Sequence, residues 1–192
     1  MAARKGTGAA EPGRSPVEAR PALDLVGRGM AQWRRERPDI DCSGKAIVGR
    51  ILHLQEAILR AVNAALAAHD LGYTDYAVLA TLRVAGEPFR MSPSQLQSTM
   101  LFTSGGVSNL LRRVEKKGLI RRLADPADGR AILVELTRKG LRVVEVAMVD
   151  HAAVERRLCA MLNRGERESL AGLLSRMIPR ECVSADGERV KR

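Results

Sequence analysis

Two sets of side chains alternate at helical spacing over residues 103–117. One set is apolar and recurs at positions i, i+3, i+4 and i+7, as a buried helix face does: Val107, Leu110, Leu111 and Val114. The opposite set is small or able to hydrogen-bond, and comprises Ser104, Gly105, Ser108, Asn109 and Arg112. Such side chains let a helix approach base edges closely in the major groove of DNA. The pattern therefore predicts a helix that reads base sequence.

Positive charge flanks this predicted helix. The cationic side chains are Arg113, Lys116, Lys117, Arg121 and Arg122. They can neutralise phosphates, and the helix N-terminus, where Thr103 is the predicted cap, adds a site for one more phosphate. Further along, Arg130 stands beside Asp128 and Gly129 in a turn-like segment. From a hairpin tip Arg130 can reach a minor groove, with Asp128 orienting it.

The neighbouring segments predict the elements that hold these residues. Ser92-Pro93-Ser94-Gln95 combines an N-cap serine, a proline at the first helical position and a glutamine at N3, so a short helix begins there. Ser92 and Ser94 join the candidate DNA contacts. Residues 119–123 and 131–136 are β-prone and flank turn residues, which predicts a hairpin. Short helix, turn, helix and hairpin in this order define a winged helix-turn-helix domain.

The rest of the chain is predicted to be helical. Apolar residues recur at three- and four-residue spacings in segments that follow capping residues. The caps are Thr74, Thr137 and Asn163 with Glu166. The expected helices are residues 23–37, 45–69 and 74–86, a long helix after Thr137 and a last helix after Asn163. The fold class is therefore mostly α with a small β-hairpin wing.

We predict one domain over residues 23–178, in which residues 74–136 form the winged helix-turn-helix. Residues 23–72 and 137–178 supply helices with unpaired apolar faces, which suit dimerisation. Residues 1–22 are rich in Ala, Gly, Pro and Arg without periodicity, which predicts a disordered basic tail. Residues 179–192, after the last apolar repeat, are expected to form a second flexible tail.

Composition limits the class of protein. The 192 residues carry a formal net charge of +10, so a polyanion such as double-stranded DNA is attracted before any specific contact forms. The N-terminus lacks an apolar h-region, and no apolar run approaches a bilayer span, which predicts a cytoplasmic protein without a membrane partner. Three cysteines without metal-ligand spacing argue against a disulfide scaffold or a zinc site. The sequence contains neither a Gly-rich phosphate loop nor a nucleophile paired with a base, so it does not predict an enzyme. No cofactor is expected.

The segment SPSQLQSTMLFTSGGVSNLLRRVEKKGLIRRLADPADGRAILVELTRKG resembles the DNA-binding core of the MarR family of bacterial regulators. The likeness is strongest over residues 74–140 and extends to residues 23–178. The resemblance implies a triangular homodimer with intertwined terminal helices, which places two recognition helices about one DNA turn apart on a pseudo-palindromic operator. It also implies a repressor of a catabolic or stress operon that a small aromatic acid releases.

The resemblance further implies an effector site. Residues 32–39 resemble a branch of the family with an added N-terminal helix, some of whose members respond to urate through a Trp, an Asp and two Arg residues. Trp33 and Arg122 match that motif, whereas the expected Asp falls on Ala77 and the second Arg on Leu110. We therefore expect a different aromatic acid, held by ring stacking and a cation. The candidate ligand-binding residues are Trp33, His53, Tyr76, Leu110 and Arg122.

Four alternatives stay open. Trp33 is equally explained as a core anchor for the added helix. Cys42 could be the oxidisable thiol of a redox-sensing regulator, although no activating base stands beside it in sequence. His151 and Glu155 share a helix face and, with His53 or His69, have the residue types of a metal site. A sequence-tolerant architectural DNA binder would need only the positive charge.

Overall fold

The protein is described by a computed structural model that covers residues 24–100, 106–126 and 131–178. Within these ranges helices dominate, and three short strands form one sheet. The elements are α1 Leu25–Glu36, α2 Lys45–Leu66 with a 3-10 turn Ala67–His69, α3 Tyr73–Val84, β1 Arg90–Met91, α4 Pro93–Thr99, α5 Val107–Lys116, β2 Ile120–Ala124, β3 Ile132–Leu136, α6 Arg138–Leu158 and α7 Arg164–Met177. The predicted fold class, mostly α with a small β-hairpin wing, is confirmed.

Some predicted features lie outside the described residues. They are the tails at residues 1–22 and 179–192, the candidate DNA contacts Thr103, Ser104 and Gly105, and the hairpin tip with Asp128 and Arg130. Of the helices that the structure does describe, none combines the length and the apolar character needed to cross a bilayer.

The chain divides into two compact units, residues 1–55 and residues 56–192. In the first unit, Asp24 caps α1, since its Oδ1 accepts the backbone N–H of Gly27 at 2.6 Å, and its Oδ2 pairs with Arg50 Nε at 2.8 Å. The backbone hydrogen bond from Gly27 and the contact with Arg50 hold the pKa of the Asp24 carboxyl below its ordinary value. Gly49 lets α2 approach α1, because a Cβ there would lie only 3.1 Å from Cγ1 of Val26. The extent of the predicted domain, residues 23–178, stays a prediction.

The second unit has one hydrophobic core with α3 at its centre. Three α3 side chains, Val78, Leu79 and Leu82, are fully buried. Helix α3 contacts α4, α5, α6 and β3. The fully buried side chains that surround it are Val62, Leu66, Leu96, Leu111, Val114, Ile120, Val134 and Val144. One core therefore holds the two short helices, the sheet and α6 together.

The predicted hairpin is present and carries a third strand. Strands β2 and β3 pair antiparallel, with Ile120 opposite Leu136 and Ala124 opposite Ile132. Strand β1 pairs with the other edge of β3, which gives the order β1-β3-β2. The sequence does not predict β1, because a two-residue strand shows no alternation to detect.

Short-range signals predict several helix starts correctly. The predicted caps of α4, α6 and α7 are confirmed: the Ser92–Gln95 capping box, Thr137, and the Asn163–Glu166 capping box. Two other predicted starts are wrong. Helix α3 begins at Tyr73 with Gly72 rather than Thr74 as its N-cap, and Asn63 Oδ1 accepts the Tyr73 N–H at 2.8 Å. Helix α5 begins at Val107 with Gly106 as its N-cap, later than predicted.

Gly140, in the first turn of α6, gives a direct test of how closely this helix packs on the sheet. A Cβ on Gly140 would lie 1.9 Å from the carbonyl oxygen of Leu119, whose backbone cannot move without disturbing the Thr137 contacts to it. We expect Gly140→Ala to lower the free energy of unfolding by about 3 kcal/mol through overpacking. Urea unfolding followed by circular dichroism measures this loss.

Gly172 provides the matched control in α7. A Cβ there meets no atom within 4 Å, so Gly172→Ala is expected to stabilise the helix by about 0.5–1 kcal/mol. Equal unfolding midpoints for the two alanine variants would contradict the close approach of α6 to Leu119.

Candidate nucleic-acid interface

Helix α5 exposes the polar face that the sequence predicts. Leu110, Leu111 and Val114 are buried in the core of the second unit, whereas Ser108, Asn109 and Arg112 are exposed. Arg112 Nη1 donates a hydrogen bond to Asn109 Oδ1 at 3.0 Å, so the two side chains lie together on the outer surface. Arginine and asparagine are the side chains that most often bind guanine and adenine edges bidentately. This face has the chemistry needed to read base pairs.

Helix α4 precedes this face and is fixed at its start. The Ser92 Oγ accepts the backbone N–H of Gln95 at 3.2 Å and lies 3.0 Å from Ser94 Oγ. Leu96 anchors α4 in the core, and Ser94 is exposed. Ser92 is therefore primarily a capping residue, and Ser94 is the more accessible of these two candidate DNA contacts.

Arg113 has a role that the sequence does not predict. Its Nε and Nη2 donate to Asp75 Oδ1 at 2.9 and 2.6 Å, and Nη2 also donates to Thr74 Oγ1 at 2.9 Å. Lys117 Nζ lies 3.2 Å from Asp75 Oδ2, and it also donates to the carbonyl of Asp70. Arg113, predicted as a DNA contact, is thus bound to a carboxylate of its own chain, while Lys116 is exposed at the end of α5.

The wing strands also carry paired cations. Arg121 forms an ion pair with Glu135 across the strands at 3.2 Å, and Arg122 Nε lies 3.2 Å from Glu115 Oε2 of α5. An effector carboxylate that bound Arg122, as predicted, would therefore have to compete with the Glu115 carboxylate. An intrachain ion pair of this kind is invisible to a count of charges along the sequence.

Two predicted ligand residues lie in the hydrophobic core. Leu110 is 5% exposed and belongs to that core, and its resemblance-based assignment to an effector site stays a prediction. Tyr76 is 8% exposed, and its ring stacks on His151 with centroids 4.5 Å apart. His151 thus occupies a face of the ring that a ligand would need. His53 lies exposed on α2 in the first unit.

Trp33 lines a cavity within the first unit. The cavity has a volume of about 490 Å³, and its walls come from α1 and the start of α2: Val26, Gly29, Met30, Trp33, Gly44, Lys45, Val48, Gly49 and Leu52. Lys45 Nζ stands over the Trp33 ring, 4.3 Å from its centroid. Lys45 is not among the site residues predicted from sequence, although a lysine at the start of an apolar helix near the only tryptophan is a detectable signal. An apolar cleft with one cation suits a small aromatic anion.

The alternative sites gain little support. Cys42 is buried, with 7% of its surface exposed. His151 Nδ1 lies 3.5 Å from Glu155 Oε2, and His69 Nε2 lies 2.7 Å from Asp150 Oδ2. Across residues 24–100, 106–126 and 131–178, no three His, Cys, Asp or Glu side chains are grouped as metal ligands.

The winged helix-turn-helix and its exposed α5 face define a DNA-binding regulator. The sequence model described as "MarR family" matches residues 69–131. The transcriptional regulator PecS of Dickeya dadantii (strain 3937) is 30% identical over 148 residues, which are 77% of this chain and 89% of PecS. The chain belongs to the MarR family. The prediction of a transcription regulator rather than an enzyme is confirmed.

Solved structures agree with this family. A cysteine-to-serine mutant of MarR from E. coli, in complex with operator DNA, is 25% identical, with a TM-score of 0.62 over 77% of this chain and 98% of that chain. A probable transcriptional regulator from Pseudomonas aeruginosa is 30% identical, with a TM-score of 0.57 over 69% of this chain and 97% of that one.

The burial of Tyr76 has a consequence at alkaline pH. Burial, assisted by the carboxylate of Glu155, raises the pKa of the Tyr76 phenol above its ordinary value of 10.0. The unfolded chain then releases this proton at a lower pH than the folded chain. The stabilisation from the neutral phenol is complete below pH 10 and is lost as the pH rises through the raised pKa. We expect Tyr76→Phe to reduce the alkaline loss of stability, as measured by urea unfolding between pH 8 and about 11.

Tyr73→Phe is the comparison variant, because Tyr73 lies on the same helix and leaves the Tyr76 phenol in place. Its stability is expected to keep the steeper alkaline decline of the parent protein. A Tyr76→Phe curve that declines as steeply as the parent curve would mean that the phenol is accessible to water.

Proposed function

We propose that the protein is a sequence-specific repressor that binds a pseudo-palindromic operator as a homodimer and is released by a small aromatic acid. The observation that carries the proposal is the exposed Ser108, Asn109 and Arg112 face of α5, on a helix whose other face is locked into the core. A rigidly held helix with base-reading side chains on its outer face is the working part of a helix-turn-helix protein.

Base reading in this proposal depends on Arg112 and Asn109, which already contact each other at 3.0 Å. Ser94 of α4 and Lys116 of α5 supply polar and cationic contacts to the phosphates beside the groove. Thr103, Ser104 and Gly105 ahead of α5, and Asp128 and Arg130 at the wing tip, remain proposed contacts. The net charge of +10 provides attraction that does not depend on base sequence.

Dimerisation is supported by apolar surface that a monomer would leave in water. On α7, four apolar side chains at helical spacing are more than a third exposed: Leu170, Leu173, Leu174 and Met177. On α6, Val146 and Val149 are also exposed. A row of exposed apolar side chains on one helix face is typical of a protein interface. A two-fold axis through such an interface presents two copies of α5, so the operator repeats with inverted symmetry.

The effector proposal rests on the cavity of the first unit. Its volume of about 490 Å³ falls in the range of small-molecule sites, and its walls are mainly apolar. A flat aromatic ring would pack against Trp33, and its carboxylate would bind the Lys45 ammonium, which lies 4.3 Å from the ring centroid of Trp33. Trp33 keeps its predicted place in the effector site, and Lys45 takes the role that the sequence gives to Arg122 or His53.

The test is a titration of the full-length protein against the DNA that flanks its own gene, with random competitor DNA. Binding is then repeated with urate, salicylate and hydroxylated pyridine carboxylates. Tight specific binding that one acid releases supports the whole proposal. Specific binding that no acid affects would contradict the effector and favour thiol sensing through Cys42. Binding that ignores sequence would contradict the operator and favour an architectural DNA binder.

Replacing Arg112 tests base reading. We expect Arg112→Ala to weaken operator binding about 10- to 100-fold, because one bidentate arginine contact contributes about 1–3 kcal/mol. Fluorescence anisotropy at fixed salt measures the loss. The charge-matched control is Arg156→Ala, at the exposed end of α6 and roughly 27 Å of helix rise from its wing end. Equal operator affinities for the Arg112→Ala and Arg156→Ala variants would show that Arg112 does not contact the operator.

Replacing Lys45 tests the effector cavity. Lys45→Met keeps the length of the side chain and removes the charge. We expect the acid concentration that releases half of the operator to rise about tenfold, the value of one charge-assisted hydrogen bond, with operator affinity unchanged. Arg34→Met removes one exposed charge from α1 without altering the cavity wall and serves as the control. An unchanged release curve for Lys45→Met would place the effector elsewhere.

A further inference from the structure

Asp75 is a carboxylate that is only 3% exposed, in the first turn of α3. A buried carboxylate is tolerated only where cations and hydrogen-bond donors compensate for lost water. The compensation comes from two cations, Arg113 at 2.6 Å from Oδ1 and Lys117 at 3.2 Å from Oδ2. Both belong to the C-terminal end of α5, since Arg113 lies in its last turn and Lys117 is its C-cap.

The neighbours of Asp75 extend this attachment. Thr74 Oγ1 accepts a second hydrogen bond from Arg113 Nη2 at 2.9 Å, and the Asp70 carbonyl accepts one from Lys117 Nζ. The end of α5 is therefore tied to the start of α3 and to the turn before it. We refer to Asp75, Arg113 and Lys117 as the α3–α5 clamp.

The clamp supplies what apolar packing alone does not. Leu110, Leu111 and Val114 hold α5 against the core, but apolar contacts are not directional and permit small rotations of a short helix. A planar guanidinium that meets one carboxylate through two N–H groups fixes an angle as well as a distance. Arg112, next to Arg113 in the chain, faces outward from the same turn, so the clamp fixes the direction in which Arg112 points.

We propose that Asp75 is a positioning residue for DNA recognition, which sets the orientation of α5 through Arg113 and Lys117. Arg113 then acts on DNA binding through Asp75 rather than as a phosphate ligand. The inference rests on the proposed function of α5 in base reading, and it assigns to an acidic side chain away from the DNA a part in sequence specificity.

The sign of one measurement separates this role from simple electrostatics. Asp75→Asn removes a negative charge, so electrostatics alone would tighten binding to every DNA. A positioning role predicts the opposite for the operator: about tenfold weaker binding, the value of one good base contact, with random DNA bound as well as before or better. The measured quantity is the ratio of operator to random-DNA affinity for the full-length protein, with thermal unfolding recorded in parallel.

Two further single variants keep the test decisive if Asp75→Asn folds poorly, and a double variant tests whether the two residues act through one network. Arg113→Gln changes a side chain that is 53% exposed and is expected to lower the same ratio while leaving the slope of log affinity against log salt unchanged. Asp75→Glu retains the charge and is expected to recover part of the ratio. The double variant Asp75→Asn/Arg113→Gln is expected to lower the affinity ratio no further than either single variant does, because both substitutions break the same network.

The possible outcomes are distinct. A folded Asp75→Asn variant with the parental ratio overturns the inference and leaves the repressor proposal intact. A salt slope that falls by about 0.9 in Arg113→Gln identifies Arg113 as a phosphate ligand and also overturns it. A parent protein that does not prefer its operator over random DNA contradicts the proposed function, and the positioning role with it.

Discussion

The burial of α3 on several sides is the constraint on which the second unit depends. Val78, Leu79 and Leu82 are inaccessible to water because α4, α5, α6 and β3 all pack against this one helix. The helix-turn-helix, the sheet and the long α6 therefore do not have separate cores. A close-packed interior transmits displacement rather than absorbing it, so a change in the position of α6 relative to α3 also displaces α5, the proposed reading helix.

Ion pairs fix the directions of cationic side chains, which this apolar packing leaves undetermined. The chain carries a large positive charge, yet four of the five cations predicted to flank the reading helix are balanced inside the unit: Arg113 and Lys117 by Asp75, Arg122 by Glu115, and Arg121 by Glu135. Such pairs contribute little free energy where they are exposed, but they fix the directions of long side chains. In the proposed function, attraction to DNA and discrimination between sequences thus depend on different residues.

The features that could be predicted from sequence are local ones. The Ser92–Gln95 and Asn163–Glu166 capping boxes act over three residues, and the faces of α5 follow from its own periodicity, so both are visible without a fold. Arg113 and Asp75 are 38 residues apart, and their ion pair exists only after α3 and α5 have packed. Leu110 is assigned to the effector site by its position in a resemblance, and Tyr76 by the ability of its ring to stack on a ligand. Neither argument carries information on what surrounds a side chain.

Release of DNA by an acid at the Trp33 cavity requires a difference in affinity and not merely binding. An acid that bound the operator-bound and the free forms equally would leave the operator occupied at any concentration. In the proposed function the cavity must therefore differ between those forms, and Lys45, Val48 and Leu52 line it from the first turns of α2. An acid that fits only one arrangement of these side chains would bind one form of the protein more tightly, and that difference in affinity is what limits how far the acid can shift the occupancy of the operator.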